Sequence, residues 1–138
     1  MKQLLAALLF VVLLPLILPV AARAGDDVVK IPLKDVSETA LFKKIDVDGV
    51  TVSYFLVKAP DGTVRSALNA CETCFLEKKG YKQDGEFMVC ANCGQKFHVS
   101  RIGMVKGGCN PHPLANTIEG DQVVISKAEL ALGVKFFK

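Results

Sequence analysis

The sequence predicts a small all-β domain, an antiparallel sandwich or open barrel with two Cys-x-x-Cys metal knuckles and a short C-terminal helix. Three observations lead to this prediction. Asp-Gly pairs, which favour tight hairpin turns, separate the apolar runs. These runs are short and rich in β-branched residues. Only the C-terminal end has a helical pattern, so no layer of helices is expected.

Residues 1–24 are predicted to be a secretory signal peptide, which leaves residues 25–138 as the domain. Lys2 precedes an uncharged apolar stretch from Leu4 to Ala22, and Ala22-Arg23-Ala24 fits a cleavage site. The alternative is an uncleaved membrane anchor, because the stretch approaches the roughly 20 residues that cross a bilayer. Both alternatives predict an exported protein, which in the second case is anchored through this segment.

The domain carries a balanced charge. Without residues 1–24 it has 15 basic and 14 acidic residues, and its 114 residues suffice for one core. This balance excludes the strongly basic surface that a nucleic-acid partner requires.

Seven strands are expected, separated by turns. The hairpin turns fall at Asp48-Gly49, Asp61-Gly62, Asp84-Gly85 and Glu119-Gly120-Asp121. The strands are Val28–Leu33, Leu41–Val47, Val50–Val57, Val64–Leu68, Glu86–Val89, Leu114–Ile118 and Gln122–Ile125. From Val50 onward, apolar residues alternate with Thr51 and Ser53, which indicates a strand with one solvent-facing side. Ser126 is expected to cap a helix over residues 127–132 that stops at Gly133.

The cysteines carry the strongest chemical signal. Fifteen residues separate Cys71-x-x-Cys74 from a second pair, Cys90-x-x-Cys93. Two such knuckles predict one tetrahedral site with four thiolate ligands, and a hairpin at Asp84-Gly85 would bring them to one end of a sheet. Two alternatives stay open: structural disulfides, and a thioredoxin-like dithiol at the start of a helix. Four thiolates suit zinc, mononuclear iron and a two-iron cluster alike.

The fifth cysteine, Cys109, lies in the glycine- and proline-rich segment GGCNPHPL. This segment is expected to fold over the metal, with Cys109 beside the ligand sulfurs or as a further ligand, and the alternative is a buried, unpaired thiol. Another alternative is a copper site, because His98, Met104, Cys109 and His112 supply the donor types of blue-copper proteins. The order of these residues differs from the usual blue-copper loop.

Several segments resemble the FtrD-like family of membrane-associated iron-sulfur proteins. They are IPLKDV, ACETC, KKGYKQDG, MVCANCGQKFHVSRIG and GGCNPHPL, which together span nearly all of the domain. The resemblance implies an iron-sulfur cofactor, a periplasmic location and a role beside periplasmic or membrane proteins of ferrous-iron uptake. Those partners include an iron-binding protein, a cupredoxin-like protein and an iron permease.

A weaker resemblance concerns the fold. The order of IPLKDV, the hairpin at DGV, the turn APDGTV, MVC-x-x-C and the loop ending in Pro113-Leu114 is similar to that of Rieske ferredoxins. It implies a Rieske-like sandwich in which thiolates replace the two histidine ligands. That change would lower the potential of a two-iron cluster.

Three functions are compatible with these residues. The first is a single-electron carrier linked to iron uptake, with Cys71, Cys74, Cys90 and Cys93 as ligands. The second is a zinc- or copper-binding structural or docking domain of a metal transport system. The third is a thiol oxidoreductase. The sequence favours a protein that is not an enzyme, because it contains no Ser/His/Asp set, phosphate-binding loop or paired carboxylates.

Overall fold

A computed structural model describes residues 27–138, and the predicted signal peptide lies outside them. Nine strands in this part of the chain form three antiparallel sheets of three strands each. The first sheet has the order β1 (Val28–Pro32), β9 (Gln122–Ser126), β8 (Thr117–Glu119). The second has the order β2 (Leu41–Val47), β3 (Val50–Lys58), β4 (Val64–Leu68). The third has the order β5 (Tyr81–Asp84), β6 (Phe87–Cys90), β7 (Lys96–His98).

The helical elements are few and short. The described residues contain one α-helix, α1 (Lys127–Leu132). Four 3-10 turns lie at Leu33–Asp35, Phe75–Glu77, Val99–Arg101 and Val134–Phe136. The predicted all-β class with a short C-terminal helix is therefore confirmed.

Local sequence chemistry explains most of the connections. Asp48 and Gly49 both have positive φ, 51° and 79°, as a type I′ hairpin turn requires, and they join β2 to β3. The side chain of Ser126 accepts a hydrogen bond of 3.1 Å from the backbone N–H of Glu129, and Gly133 ends α1. The cap and stop of the helix are thus confirmed.

The predicted strands need three corrections. The strands β5 and β7 were not expected, because YKQD and KFH lack an apolar run, and their pairing to β6 supplies the missing stability. The strand predicted over Leu114–Ile118 is reduced to Thr117–Glu119. Its first residue instead donates its N–H to the carbonyl of Ser66 at the edge of β4.

The middle sheet separates two hydrophobic cores, and β3 contributes to both. Val52, Tyr54 and Leu56 point into the first core, which lies against the first sheet and α1. Phe55 and Val57 point into the second core, which lies against the third sheet. The second core comprises Phe55, Val57, Ala67, Cys71, Tyr81, Met88, Cys90, Val99, Ile102 and Cys109. The prediction that one side of β3 faces solvent is therefore wrong beyond Ser53, because the third sheet covers Phe55 and Val57 on that side.

The predicted localisation also needs correction. No helix among residues 27–138 is long and apolar enough to span a membrane. The apolar stretch from Leu4 to Ala22, on which export and anchoring were predicted, lies outside the described residues. The structure therefore gives no support to a periplasmic protein anchored through its N-terminal segment.

Candidate metal centre

The first knuckle follows directly from β4. Asn69 donates its backbone N–H to the carbonyl of Ser53 at 2.8 Å, so the chain leaves the middle sheet at a fixed point. Two residues later the sulfur of Cys71 accepts the backbone N–H of Cys74 at 3.1 Å. The segment after Cys74 forms only the 3-10 turn Phe75–Glu77. The helix that a thioredoxin-like dithiol needs is therefore missing at this position.

The second knuckle turns at the end of β6. Gly94, with φ +75°, donates its N–H to the carbonyl of Cys90 at 2.9 Å, and Cys90 donates its own N–H to Gln95 at 2.9 Å. Burial acts to raise the pKa of the Cys90 thiol. Hydrogen bonds from the backbone N–H groups of Cys93 and Asn92, together with those from the thiols of Cys93 and Cys109, outweigh this effect and lower the pKa to about 7. The turn thus favours a thiolate, the form that binds metal.

The hairpin between the knuckles places them side by side. Tyr81 pairs with Cys90 across β5 and β6, and the carbonyl of Gly80 accepts the N–H of Ala91 at 2.9 Å. Tyr81 also donates its backbone N–H to the side-chain oxygen of Asn69 at 2.7 Å. The predicted hairpin at Asp84-Gly85 is confirmed. The end of the hairpin away from this turn, where Tyr81 pairs with Cys90, lies beside Asn69, just before the first knuckle.

The segment after Cys109 is fixed along the edge of β4. Leu68 donates its N–H to the carbonyl of His112 at 2.8 Å, and His112 donates its own N–H to Ala70 at 3.0 Å. The hydroxyl of Tyr81 donates a hydrogen bond to the carbonyl of Cys109. These contacts fold the glycine- and proline-rich loop over the knuckles, as the sequence suggests.

All five sulfurs converge beneath this loop. The sulfurs of Cys71, Cys74, Cys90 and Cys109 lie within 4.8 Å of one another. The Cys109 sulfur is 3.9 Å from Cys71, 3.3 Å from Cys74, 3.9 Å from Cys90 and 2.8 Å from the sulfur of Cys93. All of these distances exceed the roughly 2.05 Å of a disulfide bond. The five cysteines are therefore free thiols, of which Cys93 is exposed and Cys74 half-buried.

The chemistry of this cluster fits a metal. Burial raises the pKa of the Cys109 thiol, and the sulfurs of Cys93, Cys74 and Cys71 raise it further. Sulfurs at this spacing repel one another when several are ionised, so the cluster needs a cation to hold its thiolates together. Soft thiolates suit iron and zinc, and N–H groups directed at sulfur stabilise the charge that a bound metal leaves there.

The copper-type set is not assembled. In residues 27–138 the one group of close ligand atoms contains only cysteines. His98 has its ring nitrogen against the hydroxyl of Ser100. His112 lies 3.5 Å from a carboxylate oxygen of Glu72, and its ring packs 4.9 Å from that of Phe136. Met104 is exposed. The structure therefore does not bring His98, Met104 and His112 to the sulfurs.

A cavity of about 330 Å³ adjoins the cluster on one side. Cys71, Cys74 and Cys90 contribute to its lining, together with Lys44 and Lys78. This opening gives a partner a route to the sulfurs, and its lysines add positive charge near a centre that thiolates make negative.

Two residues that position the centre were not identified from the sequence. Asn69 holds the backbone of Tyr81 at the start of β5, and Tyr81 holds the backbone of Cys109. The sequence signal that could have identified Tyr81 is its position in KKGYKQDG, a segment that carries part of the family resemblance. Nothing in the sequence around Asn69 distinguishes it from an ordinary turn residue.

Comparison with known families agrees with this site. The family model described as membrane iron-sulfur containing protein FtrD-like matches residues 34–137, a range that includes all five cysteines. The chain belongs to the FtrD-like family. The predicted resemblance is thereby confirmed. No curated protein and no solved structure matches this FtrD-like chain. The family description and the cysteine cluster together indicate a metal or iron-sulfur site.

Proposed function

We propose that this FtrD-like protein is a single-electron carrier that acts in ferrous-iron uptake. The observation that carries the proposal is the convergence of five free thiols from three separate chain segments at one end of a β scaffold. The two knuckles, Cys71-x-x-Cys74 and Cys90-x-x-Cys93, and the Cys109 loop together supply the thiols from which an iron-thiolate or iron-sulfur centre draws its ligands.

The scaffold suits one-electron chemistry. Bound iron supplies the change of oxidation state. The residues of the chain hold the sulfurs in nearly constant positions, because each knuckle is fixed by backbone hydrogen bonds and Cys71 and Cys90 are buried in the second core. Because the sulfurs move little, the reorganisation energy of gaining or losing an electron is small. The N–H groups directed at Cys71 and Cys90 also tune the potential, because they stabilise negative charge on sulfur.

The surroundings favour exchange with another protein. The cavity beside Cys71, Cys74 and Cys90 opens the cluster to one side, and Lys44 and Lys78 in its lining suit an acidic partner surface. Its place in a family described as membrane iron-sulfur proteins supports partners among membrane iron-transport and redox proteins.

The test combines metal analysis with a reductive titration of the full chain. The protein is loaded with iron anaerobically, and electrons are added while iron is followed by electron paramagnetic resonance and free thiols are counted. We expect a reversible change at iron with a constant number of free thiols. Thiols that appear as electrons are added would instead support an oxidoreductase. A protein that takes up zinc in preference and shows no redox change would support a structural or docking domain.

A further inference from the structure

We infer that the centre holds one metal ion, that Cys71, Cys74, Cys90 and Cys109 are its four ligands, and that Cys93 lies outside this set. The inference deepens the proposed function. It depends on that function only for the identity of the ion as iron.

The spacing of the sulfurs fits a single ion. Metal–sulfur bonds of about 2.3 Å in a tetrahedron place the sulfurs roughly 3.8 Å apart. The Cys109 sulfur lies 3.9 Å from Cys71, 3.9 Å from Cys90 and 3.3 Å from Cys74, and no pair among the four ligands exceeds 4.8 Å. An iron-sulfur cluster distributes its thiolate ligands over different iron atoms bridged by sulfide. Ligands on different irons are therefore further apart than one tetrahedral edge.

The position of Cys109 supports its role as the fourth ligand. Its sulfur is within 3.9 Å of each of the other four, so it occupies the middle of the group. Its backbone is fixed on two sides, by the Tyr81 hydroxyl at its own carbonyl and by the pairing of His112 with Leu68 and Ala70. A ligand held in this way loses little conformational entropy when the metal binds.

Cys93 differs from Cys109 in its position and in its burial. Its sulfur lies 2.8 Å from Cys109 but does not belong to the compact group of four. Cys93 is exposed, whereas Cys71, Cys90 and Cys109 are buried. A tetrahedral ion bound by the compact group therefore leaves Cys93 as a free thiol at the surface.

Cobalt(II) provides a direct test, because the intensity of its sulfur-to-metal absorption increases with the number of bound thiolates. The full chain, Cys93→Ser and Cys109→Ser are each titrated anaerobically with Co²⁺. We expect one ion per chain and the same spectrum and affinity, within about twofold, for the unmodified chain and Cys93→Ser. Cys109→Ser should lose about a quarter of the intensity and bind at least about tenfold more weakly, since even a group outside the ligand set costs that much.

A second measurement needs no variant. The cobalt-loaded chain is treated briefly with an alkylating reagent and the modified cysteine is located by mass spectrometry. We expect modification at Cys93, with the other four protected. Protection of Cys93 together with modification of Cys109, or a greater loss of cobalt in Cys93→Ser than in Cys109→Ser, would overturn the ligand assignment. More than one iron per chain with acid-labile sulfide in the iron-loaded protein would overturn the single ion.

These results are independent of the redox titration. Cobalt binding and alkylation require no change of oxidation state. A correct ligand assignment in a protein that fails to exchange electrons would therefore reject the electron carrier while leaving the single-ion site in place.

Discussion

At the residue scale, Tyr81 links the third sheet to the loop that covers the cluster. Its ring lies in the second core, and its hydroxyl donates to the carbonyl of Cys109. Tyr81→Phe leaves that buried carbonyl without a donor, and we expect it to reduce the free energy of unfolding by about 1–3 kcal/mol. Urea unfolding at a fixed metal saturation measures this loss.

Tyr54→Phe is the matched control. Tyr54 is also buried, in the first core, and its hydroxyl makes no hydrogen bond to another residue among those that the structure describes. We expect a clearly smaller loss for this variant. An equal loss from both substitutions would show that the hydroxyl of Tyr81 contributes no specific tie to Cys109.

The cysteines that meet in the cluster were the easiest part of the site to identify from the sequence. The spacing of Cys71, Cys74, Cys90 and Cys93 is a local pattern that favours a shared metal site whatever the fold. The central position of Cys109 could not be predicted in the same way. It depends on the pairing of His112 with the edge of β4, a contact between segments that are distant in the sequence.

At the scale of elements, the turn that contains Gly103 fixes one edge of the second core. It follows the 3-10 turn Val99–Arg101, and Gly103 has φ +76°. A Cβ at Gly103 would lie 2.9 Å from the carbonyl oxygen of Ser66. That carbonyl cannot move freely, because it accepts the N–H of Leu114 and the buried hydroxyl of Ser66 donates to the carbonyl of Leu114.

We therefore expect Gly103→Ala to destabilise the protein more than Gly49→Ala. Gly49 has nearly the same φ, +79°, but its Cβ would meet nothing within 4 Å. Both substitutions incur the cost of a left-handed conformation, about 1–2 kcal/mol. Only Gly103→Ala adds a steric clash, which should cost a further 1–3 kcal/mol or so. Thermal and urea unfolding compare the two variants, and equal losses would show that the backbone at Gly103 adjusts without strain.

Elements were predictable where the turn chemistry was local. The Asp48-Gly49 hairpin and the Ser126 cap lie where the sequence places them, because each depends on a few adjacent residues. The strands β5 and β7 were missed, since their stability comes from pairing with β6 rather than from their own residues. Tertiary pairing overrides propensity in such short polar strands.

At the scale of the whole molecule, the middle sheet divides a core without cysteine from a core that contains three. The first core, shared by the first sheet and α1, is made of aliphatic and aromatic side chains. The second core includes Cys71, Cys90 and Cys109 among its buried members. The sequence could indicate a sandwich but not this division, because the covering of Phe55 and Val57 depends on where the third sheet lies.

This division predicts a local response to metal removal. The binding free energy of a structural metal becomes folding free energy for the segments that it ties together. Those segments are the knuckles, the Cys109 loop and the third sheet. The first sheet and α1 share a core without a ligand, so their stability should change far less. Protection against amide exchange reports such regional differences.

We expect the amides of Tyr81–Asp84 and Phe87–Cys90 to exchange about tenfold faster or more when a chelator removes the metal, while those of Val28–Pro32 and Gln122–Ser126 change little. Hydrogen exchange followed by mass spectrometry, with and without metal, compares the two regions in one sample. The matched control is chelator added to Cys109→Ser in the absence of metal, which should leave both regions unchanged. A uniform loss of protection across the first and third sheets would mean that the two cores unfold as one unit. In that case the metal would stabilise the whole domain, rather than the half that carries the thiolates.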